Sequence, residues 1–188
     1  MKVCLFASSS DAVGPSYRAA AVELGRLLGE SGHELIFGGG NVGLMGEAAR
    51  AAKAAGGRVT GVIVEFMVRA GKSFAGADSM EVTRTMAERK VRMEELADAF
   101  VALPGGFGTL DELAEVVTLC QLGLMDKPIA AVNIDGFYDG LAAFFDRLVR
   151  ERLAKAEFRD IISFCSTPEA TMRYLAEWRP VPRPKKWF

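Results

Sequence analysis

The chain has 188 residues, of which 50% are hydrophobic and 25% are charged. This composition is typical of one globular domain and excludes a disordered or fibrous protein. The formal net charge of −1 excludes the strongly basic surface that draws proteins onto nucleic acids or anionic membranes.

Apolar runs alternate with segments of helical period along the whole chain. A strand at 3–6 precedes a helix at 17–30, a strand at 35–37, a helix at 44–55 and a strand at 59–64. Residues 66–78 are Gly-rich and without period, which predicts a mobile loop. A short edge strand at 80–82, a helix at 85–97, a strand at 100–103 and a helix at 109–122 come next. A strand at 129–132, a helix at 137–153 and a strand at 161–164 follow.

The last helix is expected to begin after Ser166 or Thr167, which are N-cap residues, with Pro168 in its first turn. The alternation predicts an α/β fold, doubly wound, with a mainly parallel sheet of about seven strands and helices on both faces. We expect one domain over residues 1–178, with a Pro- and Lys-rich C-terminal tail at 179–188.

The location of the protein is predicted from its cysteines and apolar runs. Cys4, Cys120 and Cys165 are far apart and lie in apolar runs, so we expect reduced core thiols in a cytoplasmic protein. The first residues resemble a strand rather than a signal peptide, and no apolar stretch is long enough for a membrane span.

Three turns fall at the edge where parallel strands end, and ligands bind at this edge of such sheets. They are residues 7–10 (ASSS), 38–46 (GGGNVGLMG) and 104–109 (PGGFGT). Glycines let backbone N–H groups approach a phosphate, and a following helix N-terminus adds positive charge. Neither Gly-rich turn continues as a P-loop or matches a dinucleotide fingerprint, which argues against bound NAD. The turns predict a ligand that carries a phosphate.

The helix at 85–97 has cations on its apolar stripe. Arg89 and Lys90 stand three and four residues after Met86, where a cation extends to solvent, pairs with a structural acid or faces a ligand. In the next helix, Glu112 stands one turn beyond Thr109 and shares its face. The alternative for such an acid is a charge that only complements the helix dipole, which we prefer for Asp111.

Other reactive side chains do not form a site. His33 is expected to be structural or at the surface, and the serines at 8–10 have no His/Asp pair for a serine hydrolase. No group of His, Cys or acidic residues has metal-ligand spacing. We expect neither a metal nor a cofactor.

Three blocks resemble the signature of the Lonely Guy (LOG) family: 38–46 (GGGNVGLMG), 88–93 (ERKVRM) and 104–112 (PGGFGTLDE). These proteins are cytokinin riboside 5′-monophosphate phosphoribohydrolases, often labelled lysine decarboxylases in older descriptions. The resemblance extends from residue 3 to about residue 164. It implies a Rossmann-like fold, a homodimer, and hydrolysis of the N-glycosidic bond of an N6-substituted AMP to a free base and ribose 5-phosphate. Nothing in the sequence indicates a pyridoxal-phosphate lysine, so we do not adopt the decarboxylase label.

The resemblance also implies the site residues. Arg89 and Glu112 match the catalytic pair; Arg89 orients Glu112, holds the phosphate or stabilises the departing base. Met86 and Lys90 are expected beside the substrate. From composition alone, the eight methionines suit core filling, with Met45 and Met86 as candidates for a base pocket. Gly105, Gly106, Gly108 and Thr109 match the phosphate-binding turn of the family. Gly39 and Gly40 match a second turn that contacts the ligand, and Ser9 lies in the first turn.

The sequence departs from the family at four places. Ala7 stands where Gly is common, Val64 where Pro is usual, and Ala87 where His is frequent. Residues 66–80 lack the usual Glu, His and Leu pattern. These changes leave base specificity open between N6-substituted AMP and AMP or another purine nucleotide. Two other functions stay open from the sequence. One is a non-catalytic nucleotide-binding module similar to molybdenum-cofactor carriers, and the other is a regulator that acts through its dimer surface.

Overall fold

The protein is built around one seven-stranded sheet. A computed structural model describes residues 1–180. The strands are β1 (Lys2–Phe6), β2 (Glu34–Phe37), β3 (Arg58–Val64), β4 (Ser79–Thr83), β5 (Ala99–Ala102), β6 (Ile129–Val132) and β7 (Ile162–Cys165). Their order is β4-β3-β2-β1-β5-β6-β7, and every neighbouring pair is parallel. The predicted count of strands and the edge position of the strand near residue 80 are confirmed.

Helices cover both faces of the sheet, which confirms the Rossmann-like, doubly wound α/β fold. They are α1 (Pro15–Glu30), α2 (Gly43–Ala54), α3 (Glu65–Arg69), α4 (Met86–Leu96), α5 (Phe107–Leu122), α6 (Asp139–Arg150) and α7 (Pro168–Glu177). One apolar core lies beneath α1, α2 and α7, and includes Leu24, Ala48 and Leu175. The other lies beneath α4, α5 and α6, where Met93 and Leu113 are buried. Thr167 caps α7 by accepting a hydrogen bond from the Ala170 amide, as predicted.

The segment that follows β3 is more ordered than its composition predicts. Residues 66–78 begin within α3, and the chain then pairs with the turn after β2 through a bridge between Gly40 and Ser73. Phe74 packs edge-on against Phe37, with 6.0 Å between ring centroids. The predicted loop is therefore wrong for residues 66–69, which are helical, because five helical residues are too few to show a period. The mobility of residues 70–78 stays a prediction. The predicted helix at 137–153 is shorter, since α6 starts at Asp139 after a 3-10 turn.

The strand order reverses between β1 and β5, which are neighbours in the centre of the sheet. Connections after β1 run outward on one side, and those after β5 run outward on the other. Such a reversal opens a crevice at the carboxyl ends of the strands. The three predicted turns follow β2, β1 and β5, and they therefore meet at this crevice.

The predicted tail begins at the end of the described chain. Residues 181–188 lie outside the described residues, so the boundary at residue 178 stays a prediction. Within residues 1–180, no helix has the length and apolar character needed to cross a bilayer.

Candidate active site

A cleft of about 340 Å³ opens at the crevice between the ends of β1 and β5. One wall is the turn after β1, and another is the first turn of α5. The side chains of α4, together with a methionine from α2 and one from α3, complete it. The lining residues are Ala7, Ser8, Ser9, Ser10, Met45, Met67, Met86, Arg89, Gly106, Phe107, Gly108, Thr109 and Glu112.

Arg89 and Glu112 form a buried ion pair in the floor of the cleft. The Arg89 Nη1 atom donates to Glu112 Oε1 at 2.7 Å, and Arg89 Nε donates to the Val62 carbonyl at 3.0 Å. The two residues are only 4% and 8% exposed. Removing both charges from water costs free energy unless they are paired and hydrogen-bonded. The ion pair thus fixes the position of the Glu112 carboxylate, and its bond to Arg89 uses only the Oε1 atom.

The pKa of Glu112 lies above the usual value for a glutamate. Burial raises this pKa because it disfavours the charged form, whereas the charge and the hydrogen bond of Arg89 lower it. Loss of the Arg89 contact would therefore raise the pKa of Glu112 further. Arg89 therefore opposes the rise in the pKa of Glu112 that burial causes.

The two Gly-rich turns differ in what their helix N-termini offer. At the start of α2, the Gly43 amide donates to Asp11 Oδ1 at 2.9 Å, and the Met45 amide donates to the Ser8 carbonyl at 3.3 Å. At the start of α5, the N-cap residue is Gly106, and no side chain caps it. The first residues of α5 line the cleft, and an anion can accept from the free amides at a helix start. Of the two turns, the one after β5 is therefore the better candidate for a phosphate site.

Glycines of the two turns lie at close backbone contacts. A Cβ atom on Gly105 would overlap the side chain of Thr109, so Gly105 makes room for that buried residue. Gly39 has a φ of 73° and lies against Ile63 and Met80, while Gly40 forms the bridge to Ser73. A direct contact of Gly39, Gly40 or Gly105 with ligand stays a prediction.

Lys90, the residue after Arg89 on α4, forms ion pairs of its own with α5. Its Nζ atom is 3.0 Å from Asp111 Oδ2 and 2.9 Å from Glu115 Oε2. These contacts raise the pKa of Lys90, chiefly through the bond to Glu115. Lys90 therefore links α4 to α5, and its predicted contact with substrate is not part of the cleft wall. The structure places Ser9, Met86, Arg89, Gly106, Gly108, Thr109 and Glu112 in that wall.

Sequence reasoning did not assign two of the apolar lining residues to the site. Met67 lies on α3, within the segment predicted as a loop, and Phe107 begins α5 with 93% of its surface exposed. The PGGFGT segment itself could have indicated Phe107, because a phenylalanine between two glycines has few neighbouring side chains to cover it. Met67 gave no such signal, because only the fold brings α3 to the crevice.

The sequence of the chain is similar to those of known proteins. A family model described as "Possible lysine decarboxylase" matches residues 45–175. The probable cytokinin riboside 5′-monophosphate phosphoribohydrolase LOGL9 of Oryza sativa subsp. japonica is 44% identical over 184 residues, covering 96% of this chain and 79% of the relative. The cytokinin riboside 5′-monophosphate phosphoribohydrolase LOG3 of Arabidopsis thaliana is 37% identical over 179 residues, covering 95% and 83%.

Solved structures share the fold at lower identity. The molybdenum cofactor binding protein of Rippkaea orientalis superposes with a TM-score of 0.73 at 24% identity, covering 93% of this chain and 94% of that chain. The Moco carrier protein of Chlamydomonas reinhardtii superposes with a TM-score of 0.73 at 21% identity, covering 94% and 95%. At this level of identity the likeness describes the arrangement of the chain alone.

Proposed function

The chain belongs to the Lonely Guy (LOG) family of cytokinin riboside 5′-monophosphate phosphoribohydrolases, and we propose that it hydrolyses the N-glycosidic bond of N6-substituted adenosine 5′-monophosphates. The products are a free cytokinin base and ribose 5-phosphate. The observation that carries this proposal is the buried pair of Arg89 and Glu112, placed in one cleft with the uncapped N-terminus of α5.

The cleft supplies the parts that this reaction needs. The first amides of α5 and the Thr109 region would hold the 5′-phosphate, since they combine free donors with the positive end of a helix dipole. Cleavage of an N-ribosyl bond develops positive charge on the sugar, as in glycoside hydrolysis. The carboxylate of Glu112, one turn along the same helix, would stabilise that charge or activate the attacking water.

Among the roles open to Arg89, its contacts favour orienting Glu112. Its Nε and Nη1 donors are directed to the Val62 carbonyl and the Glu112 carboxylate. A group held by the protein in this way positions a carboxylate before substrate binds, which is the kind of preorganisation that catalysis requires.

Three methionines support an apolar group on the base. Met45, Met67 and Met86 come from α2, α3 and α4 and line the same cleft. Thioether side chains adapt to irregular apolar groups. We therefore assign this methionine wall to the N6 substituent.

The proposed activity is tested by incubating the protein with isopentenyl-AMP and with AMP side by side. We expect free base and ribose 5-phosphate in equal amounts, with kcat/KM higher for isopentenyl-AMP by at least about tenfold, because the methionine wall buries the substituent. Chromatography of the bases gives both rates. The variant Met67→Gln, similar in shape but polar, should reduce the preference. No base from either nucleotide would contradict the hydrolase; equal rates would contradict only the methionine wall.

The non-catalytic carrier is the less supported alternative. The relatives with 37–44% identity are phosphoribohydrolases by name, whereas the molybdenum-cofactor proteins share 24% or less and only the fold. A binding module also has no need of an ionised carboxylate buried beside the ligand.

We further propose a homodimer that forms through α5. Leu110, Leu122 and Leu124 of this helix and its C-terminal turn are 46%, 40% and 73% exposed, so α6 does not cover the whole apolar helix. A two-fold interface would place each segment 121–125 near its copy. Because the thiols of all three cysteines are buried, a reducing, cytoplasmic location fits the same proposal.

Light scattering at micromolar concentration tests the dimer. We expect a mass close to twice the 20.3 kDa of one chain. The variant Leu124→Arg should give one chain mass with an unchanged circular dichroism spectrum, because the side chain is mostly exposed within one chain. A wild-type mass near 20.3 kDa would remove the dimer.

A further inference from the structure

The residue that follows β2, Gly38, lies against the guanidinium of Arg89. A Cβ atom on Gly38 would overlap Arg89 Nη2 and would lie 3.1 Å from Arg89 Cζ. Contacts this short do not occur for a real Cβ, so any larger residue would displace the head of Arg89. The Arg89 guanidinium therefore packs directly against the backbone of Gly38.

The backbone conformation of residue 38 does not require a glycine. Positive φ values occur at Gly39 and Gly43 in the same turn, but not at Gly38. An alanine can adopt the conformation of Gly38 without strain. What this position requires is the absence of a side chain.

The consequence for Arg89 follows from its other contacts. Nε is anchored to the Val62 carbonyl at 3.0 Å, and Nη1 donates to Glu112 at 2.7 Å. A group that pushes on Nη2 therefore rotates or lifts the guanidinium about its Nε anchor. This movement breaks the alignment of Nη1 with the carboxylate.

We propose that Gly38 is a positioning residue for catalysis, because its missing side chain sets the place of the Arg89 guanidinium and thereby of the Glu112 carboxylate. The proposal rests on the proposed function, in which this pair is catalytic. A second effect follows in the protonation of Glu112. The charged groups that act on its pKa are Arg89 and Lys90 of α4 and Asp111 of its own helix. Of these, only Arg89 touches Gly38.

The variant Gly38→Ala tests the proposal. We expect kcat for isopentenyl-AMP to fall by about 100-fold, since a displacement of about 1 Å in a catalytic group has this effect. The melting temperature should also fall, because misaligning a buried ion pair is destabilising, so kcat is measured well below the melting temperature of the variant. The acid limb of the kcat/KM profile should move to higher pH, since Arg89 would no longer lower the pKa of Glu112. Gly14→Ala is the matched control: a Cβ there meets nothing within 4 Å, and activity should be unchanged.

Two results would overturn the proposal. One is wild-type kcat in Gly38→Ala, and the other is a lower kcat with an acid limb that has not moved, which would indicate general damage. A double-mutant cycle adds a second measure. In an Arg89→Lys background, where no Nη2 atom is present, Gly38→Ala should lower kcat less than threefold; the same 100-fold loss in both backgrounds would contradict the proposal.

A carbon-13 NMR titration of the Glu112 carboxyl separates this inference from the proposed function. Its pKa should be higher in Gly38→Ala than in the wild type, whether or not the protein turns over a nucleotide. An unchanged titration would overturn the positioning role even if hydrolysis is observed. A raised pKa without hydrolysis would support the positioning role and contradict the function.

Discussion

Replacing Glu112 with glutamine should lower kcat for isopentenyl-AMP by about three orders of magnitude or more, with little change in nucleotide binding. Glutamine keeps the shape of the side chain and still accepts a hydrogen bond from Arg89 Nη1. It removes the negative charge that would face the developing cation on the sugar. The loss should therefore appear in the chemical step.

The measurements are kcat from base release and the Kd of the nucleotide by calorimetry. Glu115→Gln is the matched control, since Glu115 lies one turn further along α5 and pairs with Lys90 outside the cleft wall. The control should retain most of the wild-type kcat. A near-normal kcat in Glu112→Gln would remove Glu112 from the chemistry. A loss confined to binding would instead assign it to holding the ribose.

The second large effect is expected on removal of the substrate's phosphate. Hydrogen bonds to a charged group contribute about 1.5–3 kcal/mol each, and each 1.4 kcal/mol is a factor of about ten. Two such bonds from the first amides of α5 should therefore make kcat/KM at least about 100-fold higher for isopentenyl-AMP than for isopentenyladenosine. Equal cleavage of the nucleotide and the nucleoside would show that the PGGFGT segment is a turn without a phosphate site.

A pair of variants isolates one amide of this site. Phe107→Pro removes the first N–H of α5, a position where proline fits a helix, and the preceding Gly106 is extended, as a residue before proline should be. Phe107→Ala also removes the ring but keeps the N–H. We expect the proline variant to lose about tenfold more kcat/KM than the alanine variant for the nucleotide, with no such difference for the nucleoside. The same ratio for both substrates would contradict a phosphate contact at this amide.

The sequence predicted the parts of the site that are carried by local patterns. The apolar stripe of α4 placed Arg89 on a buried face, and the spacing from Thr109 placed Glu112 beside the start of α5. Both expectations match the contact seen between these residues. The alternation of strands and helices likewise predicted the sheet, because a parallel strand requires a helical crossover before the next one.

The remaining features depend on contacts between distant segments. Neither the packing of Gly38 against Arg89 nor the position of Met67 follows from a period or a motif. The hydrogen bonds from the first amides of α2 to Asp11 and to the Ser8 carbonyl also depend on contact between the turn after β1 and the turn after β2. The residue pattern alone did not distinguish the two Gly-rich turns as phosphate sites. The family resemblance favoured the turn at 104–109, and the occupied N-terminus of α2 is consistent with that expectation.

In the proposed site, the phosphate donors and the carboxylate of Glu112 both lie on α5, so the helix sets the distance between them. Phe107 and Glu112 are separated along the axis of α5 by roughly 7 Å, since each residue of an α-helix rises 1.5 Å. A sugar joined to its anchoring phosphate by one ester linkage would lie beside Glu112. An additional phosphoryl group between the anchor and the sugar would carry the anomeric carbon past the carboxylate. We therefore expect the enzyme to favour nucleoside monophosphates over diphosphates and triphosphates.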